Sequence, residues 1–195
     1  LIHKDFIKKY NINIKYLNFI IYDCPNKKYI FDNKYYINGG FTNILSNDIF
    51  IYRFSELPKV ILHEYIHHAL IYKFSNQSYY NDPLQRNIII NYNEAIVEFF
   101  ATIYQCKFTK TLIKDEIKYN KKIAEYVLGI EILNNTNIYS YIVIKYILMI
   151  NYKNIIKNIL NPEYIYNYID NYKLELEPKQ IKKHKPFMFV SCGNL

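Results

Sequence analysis

Tryptophan is absent from the 195 residues, glycine occurs only 4 times and cysteine only 3 times. The three cysteines, Cys24, Cys106 and Cys192, are widely spaced and form no CxxC pair. An odd, dispersed set argues against a disulfide framework, shows no cysteine-rich zinc motif, and suits a reducing, cytoplasmic compartment. Long uncharged apolar runs are also missing. The most apolar late stretch, Tyr139 to Tyr152, is interrupted by Lys145 and is too short to span a bilayer. No signal peptide is read at the start, where Lys4, Asp5, Lys8 and Lys9 break the apolar pattern. The chain begins at Leu1 rather than Met, so the lack of a signal says little about a longer parent chain.

Asn, Ile, Lys and Tyr dominate instead, all residues with A- and T-rich codons. That bias reads as the mark of an AT-rich genome and suits a virus, parasite or symbiont. It also deflates one argument. A formal charge of +8 and 23 tyrosines suggest phosphate pairing and base stacking. Codon usage accounts for both, and Lys27-Lys28, Lys121-Lys122 and Lys182-Lys183 are mere doublets. A solvated basic surface is therefore preferred over a nucleic-acid groove. With 51% of its residues apolar, the chain can build a core and is not a disordered segment.

The length suits a single domain over 1–195, with no linker or repeat. Residues 16–54 read as strand-rich: a strand over Tyr16 to Tyr22, a turn at Asp23-Cys24-Pro25-Asn26, a hairpin over Lys28 to Ile37, and a strand over Asp48 to Tyr52 after Gly39-Gly40. Residues 55–160 read as helical. Ser55 caps a helix that accepts Pro58 in its first turn and runs to about Lys73. A polar loop over Ser75 to Pro83 precedes helices at Tyr92–Gln105, about Lys110–Leu133 and Ile138–Leu160. Pro162, Pro178 and Pro186 make 161–195 an irregular tail. Strands first and helices after is an α+β order.

The informative segment is His63-Glu64-Tyr65-Ile66-His67. Residues four apart share a helix face, so both imidazoles can address one ion, while Glu64 can reach a metal-bound water without ligating the metal. This is the HExxH arrangement, in which the glutamate serves as general base. Three of the five histidines (His63, His67 and His68) fall in this otherwise apolar helix, where uncompensated polar groups are costly. Metal binding accounts for the placement better than chance does. His68 is read as a polar residue at the helix edge.

A catalytic zinc site usually takes three protein ligands. An extended HExxHxxGxxH site needs Gly at 70 and His at 73, and the chain has Leu70 and Lys73, which excludes it. A deformylase-like amide hydrolase takes an upstream cysteine. Cys24 stands at a workable distance, but Asp23-Cys24-Pro25 is unlike that family's glycine-flanked cysteine. The third option is Asn93-Glu94-Ala95-Ile96-Val97-Glu98-Phe99-Phe100-Ala101, whose two carboxylates share one face of an apolar helix and need a cation or donors to be desolvated there.

Over about Gly39 to Tyr104 the chain resembles the gluzincin zinc metallopeptidases, which include thermolysin-like, aminopeptidase-like and lethal-factor-like enzymes. In that clan the HExxH helix is followed by a helix bearing N-E-x-x-x-[D/E]. The resemblance implies a small mixed sheet with an edge strand packed on the active-site helix, then a mostly helical part. It implies zinc held by His63, His67 and Glu94, with Glu98 orienting an imidazole. A lethal-factor-like register would make Glu98 the ligand and leave Thr102, a poorer orienter, behind it. The Glu94 register is preferred, and both stay open. The resemblance further implies that Asp48 to Tyr52 is the substrate-binding edge strand. The chemistry implied is amide hydrolysis of a peptide or protein substrate, with Glu64 as base and a Tyr or His donor for the oxyanion. Tyr79, Tyr80, Tyr92, Tyr104 and His184 are the nearby candidates. The alternative from another class is a non-catalytic zinc-stabilised module binding a protein or nucleic acid; an intact Glu64 between the histidines argues against it.

Overall fold

Asp48-Ile49-Phe50-Ile51 alternates cleanly, with Ile49 and Ile51 wholly buried and Phe50 on the opposite face. This segment is β3 (Asp48–Ile51), and it lies between β1 (Asn18–Ile21) and β2 (Gly40–Asn43). In this computed structural model, which describes residues 16–22, 39–43, 45–52, 57–70, 78–81, 87–129 and 137–179, β1 pairs parallel to β3 and β2 pairs antiparallel to it. The expected edge strand is therefore the central one, a correction to the sequence reading. Its alternation with two wholly buried isoleucines suits a strand paired on both sides, and β2 takes the edge beside the first helix. The expected hairpin over Lys28 to Ile37 lies outside the described residues.

The sheet's inner face carries α1 (Leu57–Leu70), whose Val60, Leu62, Tyr65 and Ile66 enter the core. Pro58 sits in the first turn, where its missing amide hydrogen has no helical partner to lose. β2 crosses α1 so closely that only glycine fits at Gly40. A Cβ there would stand 2.8 Å from Val60 Cγ1 and 2.4 Å from the Phe50 carbonyl oxygen.

The expected polar loop after α1 contains strand instead. β4 (Ser78–Asn81) pairs antiparallel with β5 (Asn87–Ile90), whose Ile88 and Ile90 are buried. The helical part centres on α2 (Tyr92–Thr109), which is buried almost all round from Tyr92 to Cys106, as a helix surrounded by other elements must be. Asn91 caps it, its Oδ1 accepting from the Glu94 amide at 3.1 Å. The helix α3 (Ile113–Leu128) is shorter than expected at both ends.

The long helix expected over Ile138–Leu160 is divided. A π-helical turn (Ser140–Ile144) leads into α4 (Lys145–Ile150), and a bend at Asn151 separates α5 (Tyr152–Lys157). The tail expected to be irregular from 161 begins with α6 (Pro162–Asp170). Asn161 caps this helix through the Tyr164 amide at 3.1 Å, and Pro162 occupies the first turn. Pro162 does not break the helix: at a helix start its fixed backbone is pre-organised for the helix rather than opposed to it. Around α2 pack α1, α3, the π-helical turn and α4. The fold is α+β, and no helix among the described residues is long and apolar enough to cross a membrane.

Candidate metal centre

One turn of α1 separates His63 from His67, and their Nε2 atoms converge to 3.0 Å. Glu94, in the first turn of α2, sends Oε2 to 3.1 Å from His67 Nε2 and 3.5 Å from His63 Nε2. All three donor atoms lie within 4.8 Å of one another. A tetrahedral ion with bonds of roughly 2.0–2.1 Å holds its ligands about 3.4 Å apart, so this spacing fits a small cation. Two imidazoles and a carboxylate are also the donor chemistry of a catalytic zinc site. Of the described residues, these three form the group fit to hold a metal.

Glu98 takes a different part. It is not in the donor group; its Oε2 lies 2.9 Å from His63 Nδ1. A carboxylate can only accept, so Nδ1 carries the hydrogen, and Nε2 is the nitrogen that can give its lone pair to a metal when a cation takes the place of its proton. The other carboxylate oxygen, Oε1, accepts from Lys59 Nζ and from Lys145 Nζ, the latter at 3.3 Å. Burial works against ionising Glu98, yet the ammonium groups of Lys59 and Lys145 and the His63 hydrogen bond hold it well below the usual carboxylate range. Thr102, which the alternative register would need as orienter, is wholly buried and its hydroxyl makes no hydrogen bond among the described residues.

Charge in the centre is unbalanced. Burial opposes a charged His63, but hydrogen bonds to Glu94 and Glu98 and the fields of Glu64 and Glu98 push its pKa up to about 10. For Glu94, burial is likewise outweighed by His63 and His67, and its pKa falls below the carboxylate range. A cluster that draws in a proton this strongly offers the same field to a metal cation.

Glu64 is buried, beside His63 on α1. The Thr42 hydroxyl of β2 lies 2.9 Å from both the Glu64 carbonyl oxygen and its Oε2, so the edge strand holds this carboxylate in place. Tyr141, in the π-helical turn, packs its ring edge-on against His63 at 5.7 Å. Burial raises its pKa well above the usual value, as do the nearby carboxylates of Glu94, Glu64 and Glu98.

Sequence reasoning passed over Tyr141, Thr42, Lys59 and Lys145. In a chain with 23 tyrosines no local signal distinguishes Tyr141, although a polar residue within an apolar run (Lys145) was visible. Of the expected oxyanion donors, Tyr92 is committed elsewhere, donating to Asp170 Oδ1 at 2.7 Å. Tyr104 lies farther along α2, under the Lys107 ammonium at 5.0 Å. The side chains of Tyr79 and Tyr80, and all of His184 and Cys24, lie outside the described residues. His68 does not join the donor group, and burial lowers its pKa.

The fold and its donor set define an α+β protein with a two-histidine, one-glutamate centre on adjacent helices. In comparisons with protein families, curated proteins and solved structures, nothing matches this chain.

Proposed function

We propose that this protein is a zinc-dependent peptidase of the gluzincin type. The observation that carries the reading is the convergence of His63 Nε2, His67 Nε2 and Glu94 Oε2 beside the buried Glu64. Two histidines and an acid alone would suit a structural ion equally well. A fourth group, a non-ligating carboxylate anchored by its own hydrogen bond, is what hydrolysis requires and a structural site does not.

Zinc, when bound by His63, His67 and Glu94, supplies Lewis-acid activation of a water and of an amide carbonyl. Glu64 accepts a proton from the attacking water and delivers it to the leaving amine. Thr42 engages Oε2 of Glu64, which leaves Oε1 as the atom that takes the proton. Glu98 keeps the hydrogen on His63 Nδ1. The Tyr141 hydroxyl, carried beside His63, donates to the developing oxyanion, a contribution typically worth roughly 100- to 1000-fold in rate. The substrate is a peptide or protein segment. It adds to the outer edge of β2, where no strand pairs among the described residues.

Elemental mass spectrometry of the purified chain, paired with a mixture of internally quenched peptides, tests the reading. About one zinc per chain, removable by chelator, is expected, with cleavage that depends on it. Glu64→Gln should keep the zinc and lose cleavage by roughly 100-fold or more. A folded chain that takes up no zinc sinks the proposal, and so does undiminished cleavage by the Glu64 variant.

A further inference from the structure

Lys145 is 4% exposed and lies in an apolar helix, an unfavourable place for an ammonium group. Burial accordingly lowers its pKa, and so does the neighbouring Lys59, while Glu98 and Glu116 act in the opposite direction. Glu116, on α3, is itself 2% exposed and is held by Asn120 Nδ2 at 2.7 Å. Four buried or half-buried charges thus run from α3 through α4 to α2 and α1: Glu116, Lys145, Glu98 and Lys59. Two acids face two bases, so this chain of charges balances itself. The carboxylates of Glu64 and Glu94 are left to the donor centre.

The two lysines are not equivalent. Lys59 stands one turn before His63 on the same helix, and 17% of its side chain is exposed. Lys145 comes from a different helix, with its side chain 5% exposed and its ammonium 3.3 Å from Glu98 Oε1. A partly hydrated lysine on a flexible stem can leave its partner at little cost, whereas a buried one cannot. Without Lys145, Oε1 would be anchored only from the side of the solvent. The carboxylate could then turn away from His63.

We propose that Lys145 is a positioning residue of the metal centre: it fixes the Glu98 carboxylate on His63 Nδ1 and thereby aims His63 Nε2 at the three-donor group. This inference rests on the zinc reading above. It gives the third layer around the centre a task that reaches the ligands through Glu98 alone. Loss of partners that orient a ligand histidine typically weakens metal binding by roughly 10- to 100-fold.

The test is a double-variant cycle read as zinc affinity, by competition with a chromophoric chelator, in the full chain. Lys145→Met keeps an unbranched side chain of similar volume, one atom shorter, without its charge. It should weaken zinc binding by about tenfold or more. Glu98→Gln should weaken it comparably, and adding Lys145→Met to Glu98→Gln should weaken it no further, because the lysine acts through that carboxylate. A merely structural lysine would lower stability without this non-additivity. Affinity of Lys145→Met within about twofold of the parent overturns the proposal, as does an additive double variant. Should Lys145→Met alone not fold, the double variant, which removes both charges, is compared with Glu98→Gln: equal affinities support the proposal and a further loss refutes it. A parent chain that binds no zinc would overturn the metal reading and this inference with it. Zinc binding by the parent with no response to Lys145→Met overturns this inference alone.

Discussion

The two nitrogens of His63 divide the site's chemistry between two glutamates one helical turn apart. Nε2 faces Glu94 at 3.5 Å, and Nδ1 faces Glu98 at 2.9 Å. The two acids should therefore fail differently when removed. Glu94→Ala deletes a donor, and we expect it to weaken zinc binding more than Glu98→Ala does. Glu98→Ala leaves Lys59 and Lys145 without their shared carboxylate, and stripping one partner from a buried ion pair costs on the order of 3–5 kcal/mol. We expect it to lose more stability in the metal-free chain. Chelator competition gives the first ranking and urea unfolding the second. A reversal in zinc affinity would make Glu98 the ligand.

At the scale of elements, the π-helical turn (Ser140–Ile144) carries Tyr141 against His63 and ends immediately before Lys145. Such turns recur at functional sites because the widened turn re-aims side chains that a regular α-helix would point elsewhere. Its start is tied to the start of α2: Ser140 Oγ accepts from the Asn91 amide at 2.7 Å, and Asn91 in turn caps the helix at Glu94. One joint thus sets the relative position of Glu94 and Tyr141. Ser140→Ala removes the acceptor from a half-buried amide. We expect a loss of about 1–2 kcal/mol in urea unfolding, near the lower part of the range for an unsatisfied group. An unchanged unfolding midpoint would show that water replaces the serine and that the joint is dispensable.

For the whole molecule, the donors belong to α1 and α2, which the unfolded chain does not hold together. Zinc binding should then appear as folding stability. At a free zinc concentration about 100 times the dissociation constant, linkage adds about 2.7 kcal/mol. For a chain of this length that corresponds to a rise in Tm of roughly 5–10 °C. Calorimetry with and without chelator measures it. A Tm indifferent to zinc would mean that the three donors do not act together in the folded state.

The chain's own order of residues determined the HExxH helix, because His63, Glu64 and His67 need only the helical repeat to share a face. It also determined the following acidic helix and the α+β order, since the change from alternating to helical patterning is local. Tertiary structure decided what depends on contacts between distant segments. It made Asp48–Ile51 a central strand, since sheet order is set by which strands pair and not by their succession. It turned part of a polar loop into β4, because pairing with β5 stabilises residues with little strand patterning of their own. It gave Glu94 and Glu98, which the helical repeat leaves on one face, different partners: His67 Nε2 for the first and His63 Nδ1 for the second. And it gave Lys145, in sequence merely a charge interrupting an apolar run, a carboxylate 47 residues away to bind. Burying an ammonium is tolerable only where the fold brings it a partner, and that partner lies on another helix.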